Sequence, residues 1–307
     1  MPAESTRQAS AGVLMVRPAR FYANPETATD NRFQSRETPD SAPAEAAREF
    51  ERVAAALARE GVEVQVFDDD GNADTPDSIY PNNWFSTHAA YAESPPTLVL
   101  YPMAAENRRR ERKPSIIQFL RERYPRLIDL TDHERDGRAL EGTGSLVLDH
   151  TSRAAYAGLS RRTDRDVLTR WAREMRFEVE AFEMADAEGR PIYHTNVVLA
   201  IGSAFALVVS EAIRDVEARR RVLRRLRASG RDVIELGFSQ MLQFCANVLE
   251  LRGRGGPILA LSTKALSALE PEQRQRLEAR ARLTPIAIPT IECIGGGGVR
   301  CMLAELF

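Results

Sequence analysis

The stretch FALVVSEAIRDVEARRRVLRRLRASGRDVIELGFSQMLQFCANVLELRG, residues 205–253, contains one complete structural unit. FALVVS (205–210) is a short apolar run of the kind that forms a buried strand. Residues 211–230 then place apolar side chains at three-to-four spacing among arginines and glutamates, the pattern of an amphipathic helix, and Gly230 stops it. DVIEL (232–236) is a second strand, MLQFCA (241–246) lies in a loop, and NVLELRG (247–253) is a third strand. The order is strand, helix, strand, loop, strand.

The same order recurs on both sides of this stretch. Helical patterns pass into apolar strands at APAEAAREFERVAAALAREG–VEVQVFD, ENRRRERKPSIIQFLRERYP–RLIDL, SRRTDRDVLTRWAREM–RFEVEAF and STKALSALEPEQRQRLEARARL–TPIAIP. In the first of these, Phe50, Val53 and Leu57 mark the apolar stripe. A strand precedes each helix (GVLMVRP, TLVLYPM, SRAAYAG, PILALS) and another follows each pair (NWFSTH, SLVLDH, NVVLAIG, CMLAEL). Five units of this length, alike in pattern rather than in letters, predict repeated supersecondary modules closed around an axis or stacked in a row. Equivalent modules put equivalent loops in one place. SIYPNN, LEGTG, IYHT, MLQFCA and IGGGGVR would therefore converge, bringing Asn82, Asn83, Glu141, His194, Cys245 and Cys301 toward one centre.

Bulk properties narrow the chemistry. Lys+Arg 42 against Asp+Glu 44 gives no electrostatic reason to expect nucleic acid or a charged membrane as partner. No apolar run is long enough for a membrane span, and MPAESTRQAS lacks a leader-type apolar segment, so a soluble cytoplasmic protein is expected. Cys245, Cys293 and Cys301 lack CxxC spacing, and His88, His133, His150 and His194 are scattered. Neither a disulfide scaffold nor a metal site is expected, and no cofactor. A Cys–His pair is the natural place to look for a nucleophile.

Each candidate also has a plain structural reading. Cys301 as core filler competes with Cys301 as nucleophile; the glycine run before it, the neighbouring Arg300 and the matching place of His194 favour the nucleophile. Cys245 and Cys293, among apolar neighbours, read as core. His194 alone reads as a structural hydrogen-bonder and gains a catalytic role only through the repeat. Glu141 could stabilise its own turn. Gly295–Gly298 lacks the Lys-Ser/Thr of a phosphate loop and leads into a strand. The run RRRERK (108–113) reads as a solvated helix face.

Together YHTN, LEGTG and GGGGVRCM resemble the guanidino-group modifying superfamily of arginine deiminases, amidinotransferases and dimethylarginine hydrolases, and within it the citrulline-utilisation hydrolases. The resemblance implies an α/β fold, a single-domain propeller of five ββαβ modules over 1–307 (the pentein fold). It also implies Cys301 as nucleophile, His194 as proton shuttle and Glu141 as the carboxylate that holds substrate nitrogens or the imidazole. PDSIYPNNW matches the stretch that reads the guanidinium; Asp77 keeps its first acid, but Asn82 and Asn83 stand where an acid is common. The superfamily's His-x-Asp is here His194-Thr195-Asn196. A guanidinium offers only donors, whereas a neutral ureido group also carries an acceptor oxygen, which an amide can match and a carboxylate repels.

A citrulline-like substrate is therefore expected, hydrolysed through a covalent thiol intermediate. An arginine-type deiminase or amidinotransferase using the same site is the enzymatic alternative, and a non-catalytic binding propeller the alternative of another class. Arg17, Arg300, Asn24 and Asn31 are candidates for clamping the amino-acid end, Arg17 foremost. The loop Phe21–Pro39 is a candidate lid, and a homo-oligomer is possible.

Overall fold

The computed structural model describes residues 7–35 and 37–307. The first six residues, on which part of the leader expectation rests, and position 36 of the candidate lid lie outside the described residues. The first strands in chain order are β1 (Gly12–Arg17), β2 (Glu63–Asp68), β3 (Phe85–His88), β4 (Thr97–Leu100) and β5 (Arg126–Asp129). Next come β6 (Leu146–Asp149), β7 (Ala154–Leu159), β8 (Glu178–Glu183), β9 (Leu199–Ile201) and β10 (Phe205–Val208). The last are β11 (Asp232–Glu235), β12 (Leu249–Gly253), β13 (Gly256–Ser262), β14 (Arg282–Ile286) and β15 (Ala304–Leu306).

They form five three-stranded sheets among the described residues, β3-β4-β5, β6-β7-β8, β9-β10-β11, β12-β13-β14 and β15-β1-β2. In the first four, the middle strand runs antiparallel to the strand that precedes it across a hairpin and parallel to the one reached through a helix. The fifth sheet is completed across the whole chain, with Gly12 opposite Leu306 and Leu14 opposite Ala304. The expected five ββαβ modules of the pentein propeller are borne out. Among the inner strands β3, β6, β9, β12 and β15, β3 packs beside β15, and β9 beside both β6 and β12.

The outer helices form for the reasons their sequences suggest. Helix Ala42–Arg59 buries Ala46, Phe50, Val53 and Leu57 on one face. Helix Arg165–Met175 is capped by Asp164, whose carboxylate accepts from the Asp166 and Val167 amides, and it buries Val167, Leu168 and Trp171. Two helices expected to be continuous are broken. ENRRRERKPSIIQFLRERYP forms Glu106–Arg109 and Pro114–Arg123, and the last long pattern forms Thr263–Ala268 and Pro271–Glu278. A proline forbids helical backbone at the residue before it, so Lys113 and Glu270 are extended (ψ 133° and 151°) and each proline starts a new helix. No helix among the described residues is long and apolar enough to cross a membrane.

Candidate active site

Three of the loops that precede inner strands close in the same way. Trp84 N–H donates to Pro81 O (3.2 Å), Val198 N–H to Thr195 O (2.9 Å) and Leu303 N–H to Arg300 O (3.2 Å). The turns superimpose Asn82, Asn196 and Cys301 in the repeat. Asn82 Nδ2 donates to Thr143 Oγ1 (3.2 Å), Asn196 Nδ2 to Thr143 O (3.2 Å) and, more distantly, to Cys301 Sγ (3.8 Å). A buried polar ring surrounds the centre, and the thiol occupies one of its places. Cys301 is 7% exposed, Asn82 and Asn196 less.

Two residues ahead of Thr143 and Asn196 stand Glu141 and His194. His194 Nε2 lies 2.8 Å from Glu141 Oε2. Burial alone raises the Glu141 carboxyl, but Arg162, His194 and Arg108 outweigh it and hold it well below the usual carboxylate range. An ionised carboxylate only accepts, so Nε2 carries the proton and Nδ1 is left as the base. Burial lowers the His194 pKa, with Glu141 opposing, which keeps the imidazole neutral and able to take a proton. Burial pushes the Cys301 thiol up; Asn247, Arg300 and a backbone hydrogen bond at Gly298 pull against it.

Cys301, His194, Asp77, Asn83, Arg108 and Arg162 wall one cavity of about 20 Å³. That is room for about one water. Asp77 Oδ2 accepts from Asn24 Nδ2 (2.7 Å) and Thr27 Oγ1 (3.3 Å), while Oδ1 is buried without a partner. Asn83 Oδ1 accepts from Arg108 Nη1 (2.7 Å), which fixes the amide so that Nδ2, also buried and unpartnered, remains on offer. Buried polar groups are normally satisfied, so an orphan acceptor and an orphan donor in one cavity mark where a ligand's polar atoms belong.

The four glycines are explained by what crowds them. Gly296 has φ +66°, and a Cβ there would meet the Asn31 side chain at 2.7 Å. Cβ atoms at Gly295 and Gly298 would meet the Tyr80 hydroxyl at 2.0 Å and Asn247 Oδ1 at 2.7 Å. The loop is glycine so that its backbone can pass against the site.

Part of the 21–39 loop covers the cavity. Asn31 lines it and donates to Gly295 O (3.2 Å), Ser35 N–H donates to Cys293 O (2.7 Å), Asp30 pairs with Arg162, and Arg32 with Asp186.

Several expected residues are elsewhere. Arg17 is half-exposed and paired with Glu51 and Asp68 on the outside, so it clamps nothing in the cavity. Arg300 donates to Leu303 O (2.8 Å) and Glu305 Oε2 (3.1 Å) and lines a separate small cavity between the inner strands with His150 and Glu250. Asn82 belongs to the ring but not to the cavity wall. Cys245 is core, as expected, its thiol donating to Ala265 O (3.4 Å); Asn247, two residues on, reaches the centre instead. Cys293 is exposed, because the π-helical turn Ile291–Gly295 buries Ile291, Glu292 and Ile294 and leaves Cys293 facing outward.

The run 108–113 is not a solvated face. Arg108 is 2% exposed, bidentate to Glu111 (2.8 and 3.0 Å) and bonded to Asn83 and the Tyr80 carbonyl. Tyr80, Tyr193 and Asn247 carry no sequence signal beyond their place in or beside the converging loops, and Arg162, in the stretch between β7 and the next helix, carries none. Among the described residues no group of three or more His, Cys, Asp or Glu is arranged to hold a metal ion.

A ring of loops carrying one thiol, one imidazole and one carboxylate invites comparison with known proteins. The family model for N,N dimethylarginine dimethylhydrolase, eukaryotic, matches residues 17–307. The chain belongs to that family. Membership places it in the guanidino-modifying superfamily expected from its motifs, and makes hydrolysis at a carbon–nitrogen bond its coarse functional class. Among curated proteins nothing matches the sequence.

Solved structures share the fold. ArgZ, an arginine dihydrolase of the ornithine–ammonia cycle in Cyanobacteria, superimposes with TM-score 0.74 at 16% identity over 96% of this chain. This chain spans 41% of that protein. A Cys-to-Ser variant of the ArgZ N-terminal domain bound to substrate gives TM-score 0.73 at 16% identity, covering 96% of this chain and 98% of the domain. The family's dimethylarginine hydrolase from Pseudomonas aeruginosa, a Cys-to-Ser variant complexed with citrulline, gives 0.67 at 15% identity, over 97% of this chain and all of that one (100%).

Proposed function

We propose that this protein hydrolyses a citrulline-like ureido substrate through a covalent Cys301 intermediate, releasing an ornithine-like amine, carbon dioxide and ammonia. The observation that carries the reading is the pair of unsatisfied atoms in the cavity, Asp77 Oδ1 and Asn83 Nδ2. A ureido group brings both N–H donors and a carbonyl acceptor, one for each orphan. A guanidinium has no acceptor and would leave the Asn83 amide unmatched, at about 1–3 kcal/mol.

In this mechanism neutral His194 takes the Cys301 proton at Nδ1, and the thiolate adds to the ureido carbon. The carbonyl oxygen becomes an oxyanion opposite Asn83 Nδ2. His194 returns the proton to the departing amine, leaving a thiocarbamoyl enzyme. Water deprotonated by His194 then releases carbamate, which decays to carbon dioxide and ammonia. Glu141 holds the imidazole and its charge throughout. The substrate's α-carboxylate pairs with Arg162, whose present partner Asp30 belongs to the covering loop.

A second reading has its own observation. Asp77 presents a buried carboxylate oxygen with no partner, which also suits a cationic guanidinium, as an arginine or methylated-arginine hydrolase, deiminase or amidinotransferase would require. The test is incubation of the purified protein separately with citrulline, arginine and dimethylarginine, scoring ornithine, citrulline, methylamines and ammonia. Ornithine from citrulline supports the ureido reading; citrulline from either guanidine overturns it. With Cys301→Ala, turnover is lost while ligand binding persists, which separates an enzyme from a binding propeller.

A further inference from the structure

Among the described residues, Asn247 alone places two polar side-chain atoms on Cys301 Sγ. Its Nδ2 lies 3.3 Å from Cys301 Sγ and its Oδ1 3.4 Å from the same atom. One amide therefore offers the sulfur both a donor and an acceptor. The amide is held by its own surroundings: Nδ2 also donates to Asn196 O (3.1 Å), and the Asn247 N–H donates to Phe244 O (2.8 Å). Asn247 is 1% exposed, so no solvent competes for it.

The turn that delivers it is unusual. Phe244 has φ +60°, a left-handed conformation that a bulky side chain adopts only where the surroundings impose it. Its ring is held 5.0 Å from Phe33 of the covering loop. On the other side, a Cβ at Gly298 would meet Asn247 Oδ1 at 2.7 Å. A strained turn and an obligatory glycine converge on one amide.

Other charged and titratable groups surround the sulfur without bonding it. Tyr80 and Asp77 face it from the loop before β3, and Arg108 from helix Glu106–Arg109. Glu141, Arg162, Tyr193 and His194 stand on the second and third sheets' loops, and Arg300 adjoins it in sequence. Among the described residues, the side chains that hydrogen-bond Sγ are Asn247 and, at 3.8 Å, Asn196.

We propose that Asn247 is a further catalytic residue, which exchanges its two polar atoms on the nucleophile as the nucleophile changes charge. With the thiol protonated, S–H donates to Oδ1. When the proton leaves for His194, Nδ2–H donates to the thiolate and lowers its cost. When the S–C bond forms, the electron pair moves from sulfur into that bond and the amide is released. The proposal rests on Cys301 being the nucleophile, not on the identity of the substrate.

The test is a titration of the Cys301 thiolate by its ultraviolet absorbance, with the Cys301→Ser variant as background, in wild type, Asn247→Ala and Asn247→Asp. Loss of the donor moves the midpoint up by about one pH unit in the alanine variant, and further in the aspartate variant, where a carboxylate faces the sulfur. The alkaline shift reappears in the kcat profile. Asn247→Asp preserves size and carries the test if Asn247→Ala does not fold. Unmoved midpoints in folded variants overturn the proposal and reduce Asn247 to a space-filler. Failure of the ureido reading shows instead in the product assay, with the midpoint shift intact.

Discussion

Glu141 and His194 meet at 2.8 Å although 53 residues separate them. Each stands two positions ahead of a ring residue, so the contact is a direct product of the repeat: equivalent positions of neighbouring modules face each other. The carboxylate fixes the imidazole's tautomer. Glu141→Gln keeps the shape but lets the amide present N–H to Nε2, which favours the wrong tautomer. We expect kcat to fall by about a hundredfold or more with KM little changed. A KM rise with unchanged kcat would show that Glu141 binds substrate instead.

On the proposed ureido reading, the amide at Asn83 is what sets the preference between ureido and guanidino groups. Asn83→Asp replaces the donor by an acceptor beside Asp77, so the ratio of kcat/KM for citrulline over arginine should drop by about 10- to 100-fold, the equivalent of 1–3 kcal/mol. Parallel steady-state kinetics on both substrates reads this. An unchanged ratio assigns discrimination to another residue.

A cavity of about 20 Å³ is far smaller than an amino acid, and we expect the 24–35 segment that covers it to lift when substrate enters. Its outer tie is the partly exposed Arg32–Asp186 pair. Arg32→Ala should speed amide hydrogen exchange in that segment by up to about fivefold, in keeping with the modest worth of such pairs, and raise the substrate association rate. Exchange unchanged in the segment would place the hinge elsewhere.

Stability should decline in acid by way of histidines. Burial lowers the pKa of His88, His150 and His194 in the folded chain, His150 to about 3. The unfolded chain binds those protons from about pH 6.5 downward while the fold excludes them, so stability is full above that point and lost as pH falls toward the folded values. His150 alone accounts for roughly 3–5 kcal/mol over that span. His150→Phe, placed among Phe177 and Phe307, should flatten the acid limb of the unfolding free energy measured in urea at several pH values.

The modules were readable because each helix carries its own periodicity and each loop its own turn residues, all local properties. Glu141, His194 and Cys301 followed because symmetry makes loop residues neighbours. Long-range pairing was not readable. Arg108 sits in a run of six mostly basic residues that looks solvent-facing; only the break at Pro114, with Glu111 beneath and Asn83 beside it, turns that one arginine inward. Arg17 and Arg300 failed for the converse reason, since Glu51 and Glu305 claim them first. Cys245 drew attention from Asn247 because a thiol is the more conspicuous side chain, and only backbone geometry at Phe244 decides which of the two reaches the centre.

β1 pairs with β15 across the whole chain, and Cys301 lies just ahead of β15. In chain order the sheet that begins first is finished last, by the segment that also carries Cys301. The circle's clasp and the one cysteine of the polar ring thus lie in a single short segment, so the join that closes the circle also seats that thiol beside Asn196 and Asn247.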